Sequence, residues 1–293
     1  MPQKGTFSQT FSFDLDSHIL KRSEKIMKKA RGRIVVAISG GKDSLTCSHI
    51  LKRLNIEHEL IHLNLGIPEF SSESLRIIKD HAEKNSVKLS IINIQDYAKQ
   101  PIPDFIPLVQ KLYHKDKPCA LCGLFKRYVI NKWAWENQFD YIVTGHNLDD
   151  TAATIIMNIM SQDVDQLIRV DSVIEKVPET KMVGRVKPLY WVREELILKY
   201  ANNHNIETVK IKCPYSAEVH QNKIKKAVQE FEYVEKDFTT NLTKTIKKIK
   251  KRIELEKIEV SPCAKCGFAT TAGTCKFCRV LERIELKKTK RII

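Results

Sequence analysis

Two adjacent glycines, a lysine, an acid and two hydroxyls stand together in Ser39-Gly40-Gly41-Lys42-Asp43-Ser44. The string follows an apolar run, Ile34 to Ile38, and precedes a helical pattern from Asp43 to Leu54. A strand, a glycine turn and a helix start aim several backbone N–H groups and the positive helix end at one spot. Paired glycines let the backbone close on a ligand where a Cβ would clash. The ligand such a turn suits is a phosphate. Its spacing differs from the GxxxxGK[ST] nucleotide loop, so another kind of phosphate cradle is expected.

Cysteines form the second chemical feature. Six of the eight fall in three CxxC pairs. Cys263-x-x-Cys266 and Cys275-x-x-Cys278 lie close together, and each pair is followed by Gly267 or Arg279, which suits a turn around thiolate sulfur. Four thiolates on two such knuckles predict a closed tetrahedral zinc site, structural rather than catalytic. Cys119-x-x-Cys122 follows a segment, Gln100 to Pro118, that reads as a long loop, and it opens a helix. Helix N-termini lower thiol pKa values. Cys213, before Pro214, stands at an expected strand end, whereas Cys47 on the helix after the glycine turn reads as a small core residue. Cys119, Cys122 and Cys213 therefore form one candidate set. Three thiolates suit an iron–sulfur cluster with one iron open, a zinc ion with a water, or a redox pair with a persulfide cysteine; spacing leaves all three in play.

The elements that must position these groups alternate. Residues 14–31 carry an amphipathic helical pattern. Strands are expected at Ile34–Ile38, His58–Leu65, Lys88–Ile94 and Tyr141–Thr144, with helices at 43–54, 72–85, 122–135 and 149–160. That alternation predicts an α/β fold with a doubly wound parallel sheet. Val170–Trp191 is punctuated by Pro178, Gly184 and Pro188 and reads as a loop or hairpin; Arg193–Asn203 reads as a helix and Glu207–Ile211 as a short strand. From Gln221 to Ile253 one apolar stripe runs through two helices broken near Thr239-Thr240, ending in Lys244, Lys247, Lys248, Lys250, Lys251 and Arg252. The organisation is then an N-terminal helical segment (1–32), the α/β domain (33–220), a basic helical extension (221–257), and a small zinc module with a basic tail (258–293).

The chain has 293 residues, enough for one large domain and an appendage. Net charge is +15, from 50 Lys and Arg against 35 Asp and Glu, which favours a polyanionic partner such as nucleic acid. No apolar run reaches a membrane span. Met1–Thr10 lacks the basic and apolar regions of a secretory signal, so a cytoplasmic protein is expected, and its cysteines point to metal rather than disulfides.

Together, SGGKDS, Cys119-Ala-Leu-Cys122-Gly with Lys126-Arg127, Thr144-Gly145-His146-Asn147-Leu148-Asp149-Asp150, Cys213-Pro214 and the terminal knuckles resemble the tRNA 2-thiouridine synthetases of the TtuA type, within the ATP pyrophosphatases. The likeness runs from about Arg33 to Cys278. It implies ATP held by Ser39, Gly40, Gly41, Asp43 and Ser44, with adenine near Leu63 and Gly145 close by. It also implies a [4Fe-4S] cluster on Cys119, Cys122 and Cys213, Zn²⁺ on the four C-terminal cysteines, and Lys126 and Asp150 in catalysis with Mg²⁺. The reaction would be adenylation of a uridine C2 oxygen of tRNA followed by sulfur transfer, the donor being a ubiquitin-like thiocarboxylate carrier or free sulfide. The family suggests a homodimer. Two departures stand out. This chain has no cysteine before Cys47, where many relatives have a zinc finger, and Thr151 replaces a common glutamate. For Asp150 the plain alternative is a helix cap, and for His146 a loop-orienting role. Rival functions are another ATP pyrophosphatase ligase acting on tRNA, lysidine-type or amide-forming, and a zinc-bearing RNA-binding module with an inactive nucleotide site.

Overall fold

The structure is a computed structural model that describes residues 14–113, 118–216, 220–253 and 260–289; the Met1–Thr10 reading lies outside them. An amphipathic helix, α1 (Leu15–Met27), opens it, capped by Asp14, whose carboxylate accepts the Ser17 N–H at 3.2 Å. There follow β1 (Ile34–Ala37), α2 (Lys42–Arg53), β2 (Glu59–Asn64), α3 (Phe70–Asn85), β3 (Leu89–Asn93), α4 (Ile94–Ala98), α5 (Ile102–Tyr113), α6 (Pro118–Glu136), β4 (Tyr141–Val143), α7 (Leu148–Met160) and α8 (Val164–Ile168). The chain continues with β5 (Val173–Ile174), β6 (Gly184–Val186), α9 (Glu194–Asn203), α10 (His220–Val234) and α11 (Phe238–Arg252). A hairpin, β7 (Ser261–Pro262) with β8 (Ala269–Thr270), and α12 (Lys276–Thr289) end it.

Six strands form one sheet in the order β3-β2-β1-β4-β6-β5, parallel except for the edge pair β5·β6. Val36 faces Leu60 on one side and Val143 on the other. Successive strand residues face opposite ways, so each face needs its own cover. Val36, Leu60, Val143 and Val186 pack with α1, α2, α3 and α9, while Val35, Ile61 and Ile142 pack with α5 and α6. A sheet buried on both faces is what a near-continuous apolar strand such as Ile34-Val35-Val36 encodes.

Four expectations change. Gln100–Pro118 is not a loop but mostly α5, because Ile102, Phe105 and Ile106 make a buried stripe at helical spacing, and Pro103 falls in the first turn, where no N–H is missed. Val170–Trp191 does contain a hairpin, but its second strand, β6, joins the main sheet parallel to β4. Glu207–Ile211 is not a strand. It crosses the glycine turn, and its donors go to Gly40 O (from Val209, 2.9 Å) and to the Glu73 carboxylate (from Lys210 and Ile211). The helical break lies between Val234 and Phe238, where the Glu232 carboxylate accepts the N–H groups of Asp237 and Thr239. The helix pair α10 and α11 packs on α7. The C-terminal module docks on α6: Phe277 stacks on Tyr128 at 3.6 Å and meets Phe125 at 4.9 Å.

Candidate active site

The glycine turn is built as its residues dictate. Gly40 has φ +80°, which an L side chain rarely adopts, and a Cβ there would lie 2.6 Å from Val209 Cγ2. Gly41 is the N-cap of α2. The Ser44 hydroxyl accepts the Ser39 N–H at 3.2 Å and donates to Gly41 O at 3.0 Å, which closes the turn on itself. Gly145 holds it from the neighbouring strand: a Cβ there would stand 2.8 Å from Asp43 C and Ser44 N. The loop after β4 thus lies directly against the start of α2. Leu63, at the end of β2, is buried on the α6 side of the sheet.

Beside the turn lies a chain of alternating charges. Lys42 Nζ is 3.1 Å from Asp43 and 2.5 Å from Glu194, and Lys225 Nζ is 3.0 Å from Glu194 and 2.5 Å from Asp150. Burial raises the Asp43 carboxyl, with Lys42 opposing. Burial acts the same way on Glu194, but Lys42 and Lys225 win and hold it below its usual range. Asp150 completes a capping box on α7, its Oδ2 accepting the Asn147 N–H at 3.2 Å while its own N–H donates to Asn147 Oδ1 at 2.9 Å. Both carboxylate oxygens are therefore engaged, one by Asn147 and one by Lys225. Asn147 also donates to Asp43 at 3.2 Å, and Asp149 accepts the Glu194 N–H at 2.7 Å.

Cys119 and Cys122 sit on the first turn and a half of α6, on the opposite side of the sheet end. The Cys119 thiol donates to Tyr215 O at 3.1 Å, two residues past Cys213. Burial and then the neighbouring Cys122 and Cys213 push the Cys119 thiol up, with Lys126 pulling against them. Burial likewise raises Cys122, opposed by Lys126 and Arg127. The helix start does not lower these thiols as its position alone predicts, because three sulfurs share one half-buried space. A bound cation would reverse that balance. The sulfurs of the C-terminal four all lie within 4.8 Å of one another. Three thiols drawn together at one half-buried place are a donor set that suits an iron–sulfur cluster with one iron open. Lys126 acts electrostatically on Cys119, Cys122 and His62, and His62 Nδ1 meets Ile38 O at 3.1 Å, just before the turn. Val209 N–H bonded to Gly40 O ties the Cys213 segment to the turn as well.

The C-terminal four meet the requirements of a metal knuckle. Backbone N–H groups of Lys265 and Cys275 point at Cys263 Sγ, at 3.4 and 3.2 Å. Burial works against ionisation of Cys263, but these donors outweigh it and bring the thiol to about 6. The set fits Zn²⁺.

Sequence reasoning missed a group of cations. Arg185 on β6 and Lys187 just beyond it alternate, and Arg127 faces Arg185 from α6. The signal is the alternation in Gly184-Arg185-Val186-Lys187-Pro188, obscured when Val170–Trp191 is read as a loop or hairpin apart from the main sheet. His146, set deep among them yet reached by solvent, is pulled down to about 4 by burial and by the charge of Lys187.

A doubly wound sheet with a strand–glycine turn–helix cradle at its carboxyl end defines an ATP-binding α/β enzyme of the PP-loop kind. The family model described as PP-loop domain matches residues 15–231. The tRNA-5-methyluridine(54) 2-sulfurtransferase of Thermotoga maritima is 33% identical over 278 residues, covering 93% of this chain and 90% of that protein. The enzyme of the same name from Thermus thermophilus is 30% identical over 282 residues, covering 93% and 85%. Among solved structures, the U34-tRNA thiolase NcsA from Methanococcus maripaludis, described with its [4Fe-4S] cluster, superposes with a TM-score of 0.77 at 22% identity, covering 92% of this chain and 87% of that one; at that identity it speaks to the fold. The chain belongs to the PP-loop family, in its tRNA 2-thiolation branch. Among the described residues no helix is long and apolar enough to cross a membrane.

Proposed function

We propose that this enzyme thiolates C2 of a tRNA uridine after adenylating its O2 with ATP. The observation that carries this reading is the Cys119–Tyr215 contact, which brings Cys119, Cys122 and the Cys213 segment together beside Lys126, at the same end of the sheet as the glycine turn. A phosphate-binding ligase does not require such a sulfur set, and an inactive RNA-binding module does not require an intact turn.

A uridine C2 carbonyl is a poor electrophile with a poor leaving group. If its oxygen attacks the α-phosphorus of ATP, an O–P bond forms and the bond to the β-phosphate breaks, giving an adenylated base and pyrophosphate. Ser39, Gly40, Gly41, Asp43 and Ser44 are assigned to the departing pyrophosphate, with Leu63 and Gly145 shaping the nucleotide site. Lys126 is assigned to the charge that develops on the phosphoryl group. Asp150 sets the start of α7 and holds Lys225; direct proton transfer by it would require Lys225 to move away. Mg²⁺ would arrive with the triphosphate, since Asp150 as it stands offers no free oxygen, and no step is assigned to it. When bound, a [4Fe-4S] cluster on Cys119, Cys122 and Cys213 would supply an open iron site for the incoming sulfur. Formation of the C2–S bond and departure of AMP complete the exchange. Zn²⁺ on Cys263, Cys266, Cys275 and Cys278 would be structural.

Position 54 is supported by the higher identity of the relatives whose names specify it, 30 to 33%. A cytoplasmic site is supported by the names of eukaryotic relatives. Mass spectrometry of tRNA nucleosides from cells lacking the protein tests the reading. Loss of 2-thio-5-methyluridine is expected; loss of an anticodon 2-thiouridine would move the target, and no change in any thiolated nucleoside would remove the proposal. After anaerobic reconstitution, Cys119→Ala, Cys122→Ala and Cys213→Ala are each expected to abolish thiolation. Full activity in any of them excludes the three-thiolate site. Supplying free sulfide or a thiocarboxylate carrier in that assay identifies the donor.

A further inference from the structure

Around β6 three cations stand without a direct ion pair among the described residues, although Asp171 and Asp150 act on Lys187 at longer range. Val186 packs with the core on the opposite face, and Val183 with the core under α6. Alternation along the strand therefore puts Arg185 on the α6 side, with Lys187 just past the end of β6. Arg185 is paired across β4·β6 with Ile142, which also belongs to the α6-side core. Arg127 reaches into the same space from α6, close enough for its charge to depress Arg185 and to be felt by the Cys122 thiol.

Among the described residues none of Arg127, Arg185 and Lys187 forms an ion pair, and the contact made by Lys187 is to the ring of Tyr190, 5.9 Å away. The cations on the other side of the glycine turn behave differently. Lys42, Lys225 and Arg193 are each matched by a carboxylate at 2.5 to 2.7 Å. Like charges repel: burial first and then Arg127 hold Arg185 below its ordinary pKa, and burial first and then Arg185 do so for Lys187, with Asp171 and Asp150 opposing, while Arg127 itself stays exposed. A set in which no cation has a carboxylate at ion-pair distance, with Asp171 and Asp150 acting on Lys187 only from farther away, is balanced when an anion joins it.

We propose that Arg127, Arg185 and Lys187 form a phosphate-binding site that grips a backbone phosphodiester of the RNA substrate beside its target nucleotide. This rests on the reading of tRNA as substrate. Guanidinium forks match phosphate oxygens in pairs, and lysine adds a point charge. Such contacts fix the position of a strand without reading its sequence, which is what presenting one base to Lys126 and the thiols demands. The ATP phosphates have a separate cradle at the end of β1. β6 lies beyond β4, two strand spacings or about 10 Å from it, and His146 and Asp150 lie within electrostatic reach of Lys187.

Binding of an unmodified tRNA transcript and of ATP, each measured on the full chain over a range of salt, tests this. Arg185→Gln/Lys187→Gln is expected to weaken tRNA binding about tenfold or more at moderate salt and to reduce the salt slope by about 1 to 2, with ATP affinity unchanged within about twofold. Lys187→Gln alone gives a smaller loss in the same direction and serves if the double variant does not fold; Arg185→Lys retains most of the binding. Weakened ATP binding with unchanged tRNA binding would assign the cations to the nucleotide and overturn the proposal. Unchanged binding of both would leave them a structural role and overturn it too. Wild-type protein that binds no tRNA would remove the substrate reading itself, whereas wild-type binding that the variants retain in full removes only this site.

Discussion

Lys225 on α10 lies 2.5 Å from the Asp150 carboxylate at the start of α7, so a helix outside the α/β sheet supplies the counter-charge for an acid beside the glycine turn. The same ammonium is 3.0 Å from Glu194. Burial opposes its charge, but the two acids raise its pKa above the lysine norm. Lys225→Met leaves two partly buried carboxylates facing each other. The expected cost is about 2 kcal/mol in urea unfolding, since removing one member of a buried pair strands the other. Adding Asp150→Asn to Lys225→Met should recover part of that loss, read as a coupling in a double-mutant cycle.

Gly145→Ala tests the contact between the β4 loop and α2. The new Cβ would meet backbone atoms of Asp43 and Ser44 at 2.8 Å, and backbone cannot swing aside as a side-chain tip can. Overpacking of this kind costs about 1 to 3 kcal/mol, which in affinity is about tenfold or more. ATP binding should fall accordingly, measured by calorimetry, while unfolding remains cooperative. Undiminished ATP binding would show that the turn tolerates displacement.

Acid should loosen the face of the sheet covered by α2 and α3. His81 Nε2 meets Ser48 Oγ at 3.1 Å, and Ser48 Oγ meets His58 Nε2 at 3.2 Å. Burial, with the nearby histidine charges, pulls His81 down to about 4, and burial with His204 and Arg53 does the same to His49. The folded pKa values lie below the unfolded value near 6.5, so between about 4 and 6.5 the unfolded chain binds more protons. Stability is then full above about pH 6.5 and is lost as pH falls toward 4. At pH 5 the loss should be about 1 to 2 kcal/mol per histidine, seen as a falling Tm between pH 7 and pH 5. His81→Asn should flatten that slope; an unchanged slope would place the proton uptake elsewhere.

Removing the C-terminal metal should be felt at α6. Phe277 and Phe268 pack on Tyr128, and Val280 and Ile284 are buried, so the knuckles support the helix that carries Cys119 and Cys122. Cys278→Ser is expected to strip zinc, read by elemental analysis, and to lower Tm by about 5 °C or more. A variant with normal stability and no metal would make the module independent of zinc.

Much of the fold was legible because its signals are local. Ile34–Ile38 reads as a buried strand from its own apolar run, and Gly40-Gly41 before a helix start reads as a phosphate turn from backbone sterics. The C-terminal knuckles announce themselves because all four ligands fall within sixteen residues. The readings that failed were those decided by a distant partner. Glu207–Ile211 has strand composition, but Gly40 and Glu73 take its hydrogen bonds. Gln100–Pro118 reads as a loop along the chain, yet α6 offers Phe125 to Phe105 and Ile102–Tyr113 coils to meet it.

The sequence by itself determined the glycine turn after a buried strand, the four-cysteine C-terminal knuckles and the motifs that place the chain with the tRNA-thiolating enzymes, because residue type and short-range spacing fix those properties. Only the tertiary structure decided which charges are cancelled and which are not. Lys225 reaches Asp150 across 75 positions, while Arg185 meets the charge of Arg127 and, among the described residues, forms no ion pair with an acid. Electrostatic balance depends on distance in space and on burial, and neither is written along the chain.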